Sequence, residues 1–288
     1  MLWLLLCIVF TSCLIISFKH FDLLQIRVLP AITFNYVTCT FLGWLLQQNS
    51  ENATAYEWQP WMWLSILLGF AFIAVYYLLS RATIENGVTV GAIANKLSVV
   101  IPVIIAIRVY GESFSAFKGA GIFLAVLAVV LANIKSSGAG LKRASVLLPV
   151  VVFLGSGFSD SFLNYIQKFY LSSEDFGVFI SMVFGSAFFL GIIGSLLMLY
   201  FRNHTFGWRD IGAGLLLGVA NFGSMFTILK ALESPNIEDS VVWAVNNVGV
   251  IIFASVYSQI VFREKLSFIN KMGILTAISA IVLLTVFS

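Results

Sequence analysis

Residues 112–134, ESFSAFKGAGIFLAVLAVVLANI, and residues 264–286, EKLSFINKMGILTAISAIVLLTV, are the two stretches whose comparison decides the fold. Laid over each other at an offset of 152 they agree at eight of 23 positions, among them Glu112/Glu264, Ser115/Ser267 and Gly121/Gly273. Apolar helices match by chance at Leu and Val, so the Glu, Ser and Gly agreements carry the weight, and they come in order at helix edges. Working outward, Leu67-Leu68-Gly69-x-Ala71 returns as Leu216-Leu217-Gly218-x-Ala220 at an offset of 149, Arg81-Ala82 pairs with Lys230-Ala231, and Asn95 aligns with Asn247. An insertion around Ser234-Pro235-Asn236 accounts for the three-residue difference. The chain therefore reads as two copies of one unit, residues 1–134 and 145–288, joined by a linker at 135–144.

The medium in which these units fold follows from composition. Of 288 residues, 60% are hydrophobic and only 10% charged, with a mean hydropathy of +1.00. Soluble domains carry about 25% charged and 45–50% apolar residues, so the solvent is lipid. At about 20 residues per span, ten spans use roughly 200 residues and leave roughly eight for each terminus or loop, with no room for a soluble domain. A net charge of +3 argues against a nucleic-acid partner, which would need clustered Lys and Arg. Cys7, Cys13 and Cys39 lie in the first two apolar stretches as small packing residues, and His20 and His204 sit at loops. Neither set offers a disulfide framework or a metal cluster, and no cofactor is implied.

Apolar runs set against polar breaks place spans near 2–18, 28–47, 61–80, 88–109, 117–134, 146–167, 177–200, 210–230, 238–261 and 267–287. Trp58, Trp61, Trp63 and Trp208 stand at span edges, where interfacial aromatic belts form. One set of alternate loops holds eleven Lys and Arg and the other four. The positive-inside rule then puts both termini on the non-cytoplasmic side of a multi-pass protein of the inner or plasma membrane. No basic segment precedes the first span, which argues against a cleaved signal peptide. Asn52-Ala-Thr and Asn203-His-Thr match the short glycosylation pattern, a weak signal.

Five spans per unit is an odd number, so the second unit enters the membrane from the opposite side. Inverted repeats around a midplane site are the architecture of secondary transporters. Ten short-looped helices in two fives, each half closing with a Glu-led turn and a Gly-containing last helix, resemble the EamA-type branch of the drug/metabolite transporter superfamily. The most family-like piece runs from Ala94-Asn95-Lys96-Leu97-Ser98 through Ile101-Pro102 to Tyr110-Gly111-Glu112. The second half departs from the pattern: Arg263-Glu264 stands where Gly111-Glu112 does, and Pro102 has no counterpart. The resemblance implies that helices five and ten are peripheral and the others line a cavity. It leaves the substrate open among amino acids, drugs, sugar phosphates and nucleotide sugars.

Two ionisable groups lie well inside spans, Lys96 in the fourth and Asp160 in the sixth. Each carries an insertion cost of about 2.5–3.5 kcal/mol, so charges there are functional by default. Lys96 is expected to receive an anionic group of a substrate and Asp160 to exchange a coupling proton; the structural alternative is a salt bridge tying the two spans together. Asn95, Ser98 and Pro102 form one helical stripe and Trp243, Asn246, Asn247 and Val250 the corresponding one. With Tyr76 and Asn221, and with Asn35, Tyr36, Tyr77 and Ser224 at similar depth, they suggest a pocket with amide donors and aromatic walls. The alternative is hydrogen bonding between helices. Pro102 releases a backbone carbonyl and allows a bend. Gly214-xxx-Gly218 reads as a close-packing face, and Glu112 and Glu264 as caps of the helices that follow them.

The expectation is an all-α membrane protein of two inverted five-helix repeats, a secondary transporter, by uptake or export, of a small polar or amphipathic metabolite. No Walker-type loop supplies ATP chemistry. A membrane-embedded enzyme would need a nucleophile–base pair that only Lys96 and Asp160 could furnish, so the chain is read as not an enzyme. A non-transporting partner subunit is the remaining alternative.

Overall fold

The computed structural model describes residues 2–48, 59–109, 115–133, 143–171, 175–202, 207–232 and 239–285. The 135–144 linker (all but its last two residues), Glu112, Trp58, Asn52, Asn203, His204 and Ser234–Asn236 lie outside them. Among the described residues there are eleven α-helices and one 3₁₀ turn, with no strand. The helices are α1 (Leu2–Leu23), α2 (Val28–Gln48), α3 (Pro60–Asn86), α4 (Val88–Lys96), α5 (Val100–Val109), α6 (Ala116–Asn133), α7 (Arg143–Tyr170), α8 (Phe176–Arg202), α9 (Trp208–Leu232), α10 (Asp239–Ile260) and α11 (Phe268–Thr285). Seven of the described helical stretches are long and apolar enough to cross a bilayer, one of them running across the 3₁₀ turn from α4 into α5; α6, α10 and α11 supply shorter apolar segments.

Two helices run past the polar breaks expected to end them. α1 continues through Lys19-His20 and α3 through Ile84-Glu85. A helix need not stop at the lipid surface when its polar side chains find partners there. Lys19 Nζ donates to the Ile84 carbonyl at 3.2 Å, and Arg81 pairs with Glu85 one turn on. α1 then ends with Gln25 at φ 57 and the Ile26 N–H bonded to the Phe21 carbonyl at 2.8 Å, a left-handed helix stop.

Backbone contacts group the chain into two units that interleave in sequence. The first comprises residues 1–19, 78–161 and 223–288; the second comprises 20–77 and 162–222. In the first, α6 packs extensively on α11, and α4 on α10. Ala125 and Ala128 on α6 and Ala277 and Ala280 on α11 are all fully buried in one apolar cluster with Ile93, Leu97 and Ile281. Without a hydrophobic drive between helices in lipid, small side chains that let backbones approach are what hold such pairs. A second cluster joins Ile15 and Ile16 of α1 to Val88 and Ala92 of α4 and Val250 and Ala254 of α10.

In the second unit α2 packs along α8. Gly43 on α2 faces Ser181 on α8, while Gly191 on α8 faces Thr33 on α2. Gly69 of α3 lies against Val183 and Ser186 of α8, and Gly218 of α9 lies against Asn35 and Thr38 of α2. The hydroxyls repeat the scheme: Ser186 Oγ donates to the Ile66 carbonyl at 3.3 Å and Thr38 Oγ1 to the Leu215 carbonyl at 3.2 Å. Gly214 also meets the α2 backbone, at Ala31, so the Gly214-xxx-Gly218 face is a packing face on α2.

Helix starts correct one expectation. Glu264 does not cap α11; it accepts the Val88 N–H at the start of α4, at 3.1 Å. α11 is capped by Ser267, whose Oγ accepts the Asn270 N–H at 3.1 Å while Asn270 Oδ1 accepts the Ser267 N–H at 3.1 Å. α6 is capped by Ser115, bonded to the Lys118 N–H at 3.1 Å. A hydroxyl three residues ahead reaches the free N–H of the first turn, which a Glu at this spacing overshoots.

Candidate functional site

The span that carries Lys96 is broken. α4 ends at Lys96, residues Leu97–Val99 form a 3₁₀ turn, and α5 begins at Val100. The cause is in the sequence: Pro102 has no N–H to give the Ser98 carbonyl four residues back, and its ring crowds that carbonyl. The chain relieves the clash by tightening the turn just before it. A mid-helix 3₁₀ turn often marks a functional hinge or a strained sequence, and here Pro102 supplies the strain.

Four polar side chains from α4, the turn and α7 meet at the break. Asn95 Nδ2 donates to Ser156 Oγ at 3.0 Å. Ser98 Oγ lies 3.2 Å from Asp160 Oδ2 and 2.5 Å from the Asn95 carbonyl. A hydroxyl has one proton, so Ser98 satisfies one of these acceptors at a time when Asp160 is ionised. When Asp160 is protonated, its own O–H can donate to Ser98 Oγ and leave the Ser98 proton for Asn95. The arrangement stores the protonation state of Asp160 in the hydrogen bonding of the broken helix.

Lys96 is half-buried and Asp160 accessible. The salt bridge offered as the structural alternative is not formed: among the described residues Lys96 Nζ makes no ion pair or hydrogen bond. Each charge therefore remains available to something else. Lys96 at the C-terminal end of α4 is also favoured by the negative end of that helix dipole.

The α10 stripe is partly as expected. Asn246 and Asn247 are buried, at 2% and 5% exposure, and Asn246 Oδ1 has no partner among the described residues. Trp243 is 39% exposed and so does not form a buried wall. No hydrogen bond joins Asn247 to its sequence equivalent Asn95, whose amide is taken by Ser156. Ser156 is the partner that sequence reasoning missed; the signal was the four-residue step between Ser156 and Asp160, which puts them on one face of α7, opposite Asn95 at the end of α4 and Ser98 three residues on in the 3₁₀ turn.

Tyr76 and Asn221 belong to a separate cluster within the second unit. Tyr76 Oη donates to Asn221 Oδ1 at 3.1 Å. The Tyr76 ring meets that of Tyr36 at 6.2 Å, and Tyr36 stacks on Phe184 at 5.6 Å. Cys39 Sγ lies 3.7 Å from Asn35 Oδ1 and 3.5 Å from the Gly218 carbonyl. Asn35 Nδ2 and Tyr36 Oη are fully buried without partners among the described residues. The predicted residues thus divide into a charged group (Asn95, Lys96, Asp160, with Asn246, Asn247 and Trp243 in the same unit) and an uncharged amide–phenol group (Tyr76, Asn221). Among the described residues no three His, Cys, Asp or Glu side chains gather as a metal site.

Comparison with known proteins gives likeness in sequence and in fold. No family model matches the chain. An uncharacterized protein of Haemophilus influenzae is 26% identical over 266 residues, covering 87% of this chain and 86% of its own. A protein of known crystal structure superposes with a TM-score of 0.60 over 98% of this chain and 99% of its own, at 11% identity. The second likeness is one of fold alone.

Proposed function

We propose that the chain is a secondary transporter of ten spans in two inverted five-helix repeats, moving a small polar or amphipathic metabolite by alternating access. The observation that carries this reading is the broken fourth span, with Lys96 and Asp160 beside the break and no ion pair between them. Discontinuous helices with free carbonyls and unpaired charge at mid-span are how transporters build a site in lipid. In this reading Lys96 and Asn95 hold the substrate, Asp160 carries the coupling proton through Ser98, and Asn246, Asn247 and Trp243 of the same unit contribute to the pocket, while Tyr76 and Asn221 stay in their own cluster in the second unit.

The repeat is supported by reciprocal packing. Gly43 and Gly191 are 148 residues apart, and so are their partners Thr33 and Ser181. Gly69 and Gly218 are 149 apart, their partners Ser186 and Thr38 are 148 apart, and the carbonyls those hydroxyls bond, Ile66 and Leu215, are 149 apart. Contacts of the form i to j′ and j to i′ are the mark of a two-fold relation. The divisions between units, after Lys19 and Tyr77 and again after Ser161 and Phe222, recur at nearly the same spacing. The EamA-type resemblance accords with this arrangement.

The test has two stages. Purified protein is screened for thermal stabilisation by a metabolite library, and each stabilising compound is then measured for flux in proteoliposomes with and without a pH gradient. Wild type is expected to accumulate at least one compound, Lys96→Ala to lose binding, and Asp160→Asn to retain binding while losing the response to the gradient. Equal flux in all three would overturn the site; no stabilisation and no flux across the library would overturn the transport reading.

A further inference from the structure

α4 is a rod of nine residues with a functional end and a tethered end. Its last residue is Lys96. Its first N–H, that of Val88, is not capped locally, because the preceding residue is Gly87 and glycine has no side chain to offer. The cap comes instead from 176 residues away, where Glu264 Oε1 accepts the Val88 N–H at 3.1 Å. A carboxylate at this position also complements the positive end of the helix dipole. Gly87 and Glu264 fit each other: Gly87 sits at φ 105, and a Cβ there would stand 3.2 Å from both carboxylate oxygens. Gly87 holds a backbone angle that favours glycine, and a Cβ there would press the carboxylate away by a few tenths of an ångström.

The far side of the tether is fixed as well. The Glu264 N–H bonds to the Ser258 carbonyl at 3.0 Å, closing the end of α10. Ser258 Oγ and Thr89 Oγ1, both buried, lie 3.0 Å apart, a second link between the last turn of α10 and the first turn of α4. From Val88 to Ala94 every residue of α4 is buried, so the rod has no room to tilt by itself. Over eight residues at 1.5 Å each, it delivers Lys96 about 12 Å from the clamp.

We infer that Glu264 is the positioning residue of Lys96: it locks α4 to the end of α10, so that Lys96 and Asn95 are held at a fixed depth and move with the α10–α11 turn. The functional consequence rests on the transport reading above; the positioning itself does not. Two measurements on the full-length protein in detergent decide it without a substrate. The first is hydrogen exchange in peptides covering 84–96; the second is the rate at which acetic anhydride acetylates Lys96, followed as a function of pH by mass spectrometry, with Lys230 as internal reference. Glu264→Ala is expected to speed exchange at 88–91 by tenfold or more and to change the Lys96 rate and its pH profile several-fold relative to Lys230. Glu264→Gln keeps an acceptor oxygen on the same arm and is expected to restore both to within twofold of wild type. A second variant, Gly87→Ala, displaces the carboxylate from the other side and is expected to resemble Glu264→Ala. Unchanged exchange in Glu264→Ala would overturn the tether; faster exchange with an unchanged Lys96 profile would reduce Glu264 to a helix cap and overturn the positioning; failure of Glu264→Gln to rescue would do the same. Absent flux in wild-type vesicles would count against the transport reading and leave these outcomes standing.

Discussion

Ser98 has one proton and two acceptors, the Asn95 carbonyl at 2.5 Å and Asp160 Oδ2 at 3.2 Å. Removing the hydroxyl leaves the carboxylate without its described partner and severs the break in α4 from the ionisation of Asp160. Ser98→Ala is therefore expected to lose about 0.6–1.7 kcal/mol of stability, the span of hydrogen bonds measured between membrane helices. The same variant is expected to narrow the pH dependence of flux while leaving ligand-induced stabilisation at Lys96 within a few-fold of wild type. Thermal unfolding in detergent and a pH series of proteoliposome flux check the two halves; an unaltered pH series would remove Ser98 from the coupling path. A second residue-scale prediction concerns Arg263, which holds φ 52 at the end of α10 where an L side chain is strained. The first half has Gly111 at the equivalent place in sequence. Arg263→Gly is expected to stabilise the protein by about 1 kcal/mol, read as a higher thermal midpoint, since the left-handed region costs a non-glycine residue roughly that much. A lower midpoint would mean the arginine side chain contributes more than its backbone angle costs.

At the scale of elements, the broken span and the glycine faces make opposite predictions. Pro102 strains α4 into its 3₁₀ turn, so Pro102→Ala is expected to restore the bond to the Ser98 carbonyl and raise the thermal midpoint while lowering flux. A rise in both would show that the break is incidental. The glycines that meet a neighbouring backbone allow no added atom: Gly69→Ala and Gly218→Ala are each expected to destabilise by about 1–3 kcal/mol through overpacking, and by similar amounts because their surroundings correspond. Gly212→Ala, where nothing lies within 4 Å, is the control. Thermal midpoints of the three variants in the same detergent check this, and a Gly218→Ala as mild as Gly212→Ala would break the equivalence of the two faces. These contacts also show why the sequence was legible as far as it was. Gly69 and Gly218 were visible as a repeat agreement because each packs against the counterpart of the other's partner, Ser186 and Thr38, and Ala125 and Ala277 because both are small residues buried in one apolar cluster. The role of Glu264 was not visible: it follows chain proximity neither to α11 nor to its own span, and only a long-range N-cap reveals it. Whether Lys96 and Asp160 form the salt bridge of the structural alternative was not legible for a similar reason, since depth along a span says nothing of which way two side chains turn.

For the whole molecule, composition and periodicity told the class, all-helical and lipid-solvated, and located the helices to within a few residues apart from the overruns of α1 and α3. Orientation is a separate property, because the same bundle inserted upside down would bury the same surfaces. What distinguishes the two orientations is the distribution of Lys and Arg, eleven on one set of loops and four on the other. Basic residues held near a translocating span resist crossing toward the positive side of the membrane, so the richer set is expected to face the cytoplasm. With the ten spans proposed, both termini are expected on the opposite face. A periplasm-active phosphatase fused after Ser288 is therefore expected to be active, and the same reporter placed in the loop after Glu85 to be silent, while a cytoplasm-active fluorescent reporter gives the reverse. Because the excess is seven charges spread over five connections, it has no single keystone: Arg81→Gln is expected to leave both readings unchanged, whereas replacing Arg263, Lys265 and Lys271 together with Gln, in the turn before α11 and the first turn of that helix, is expected to produce mixed reporter activity at Ser288. An inactive phosphatase after Ser288 in wild type would mean an odd number of crossings or a reversed bundle, and the reporter after Glu85 tells which: silent in the first case, active in the second.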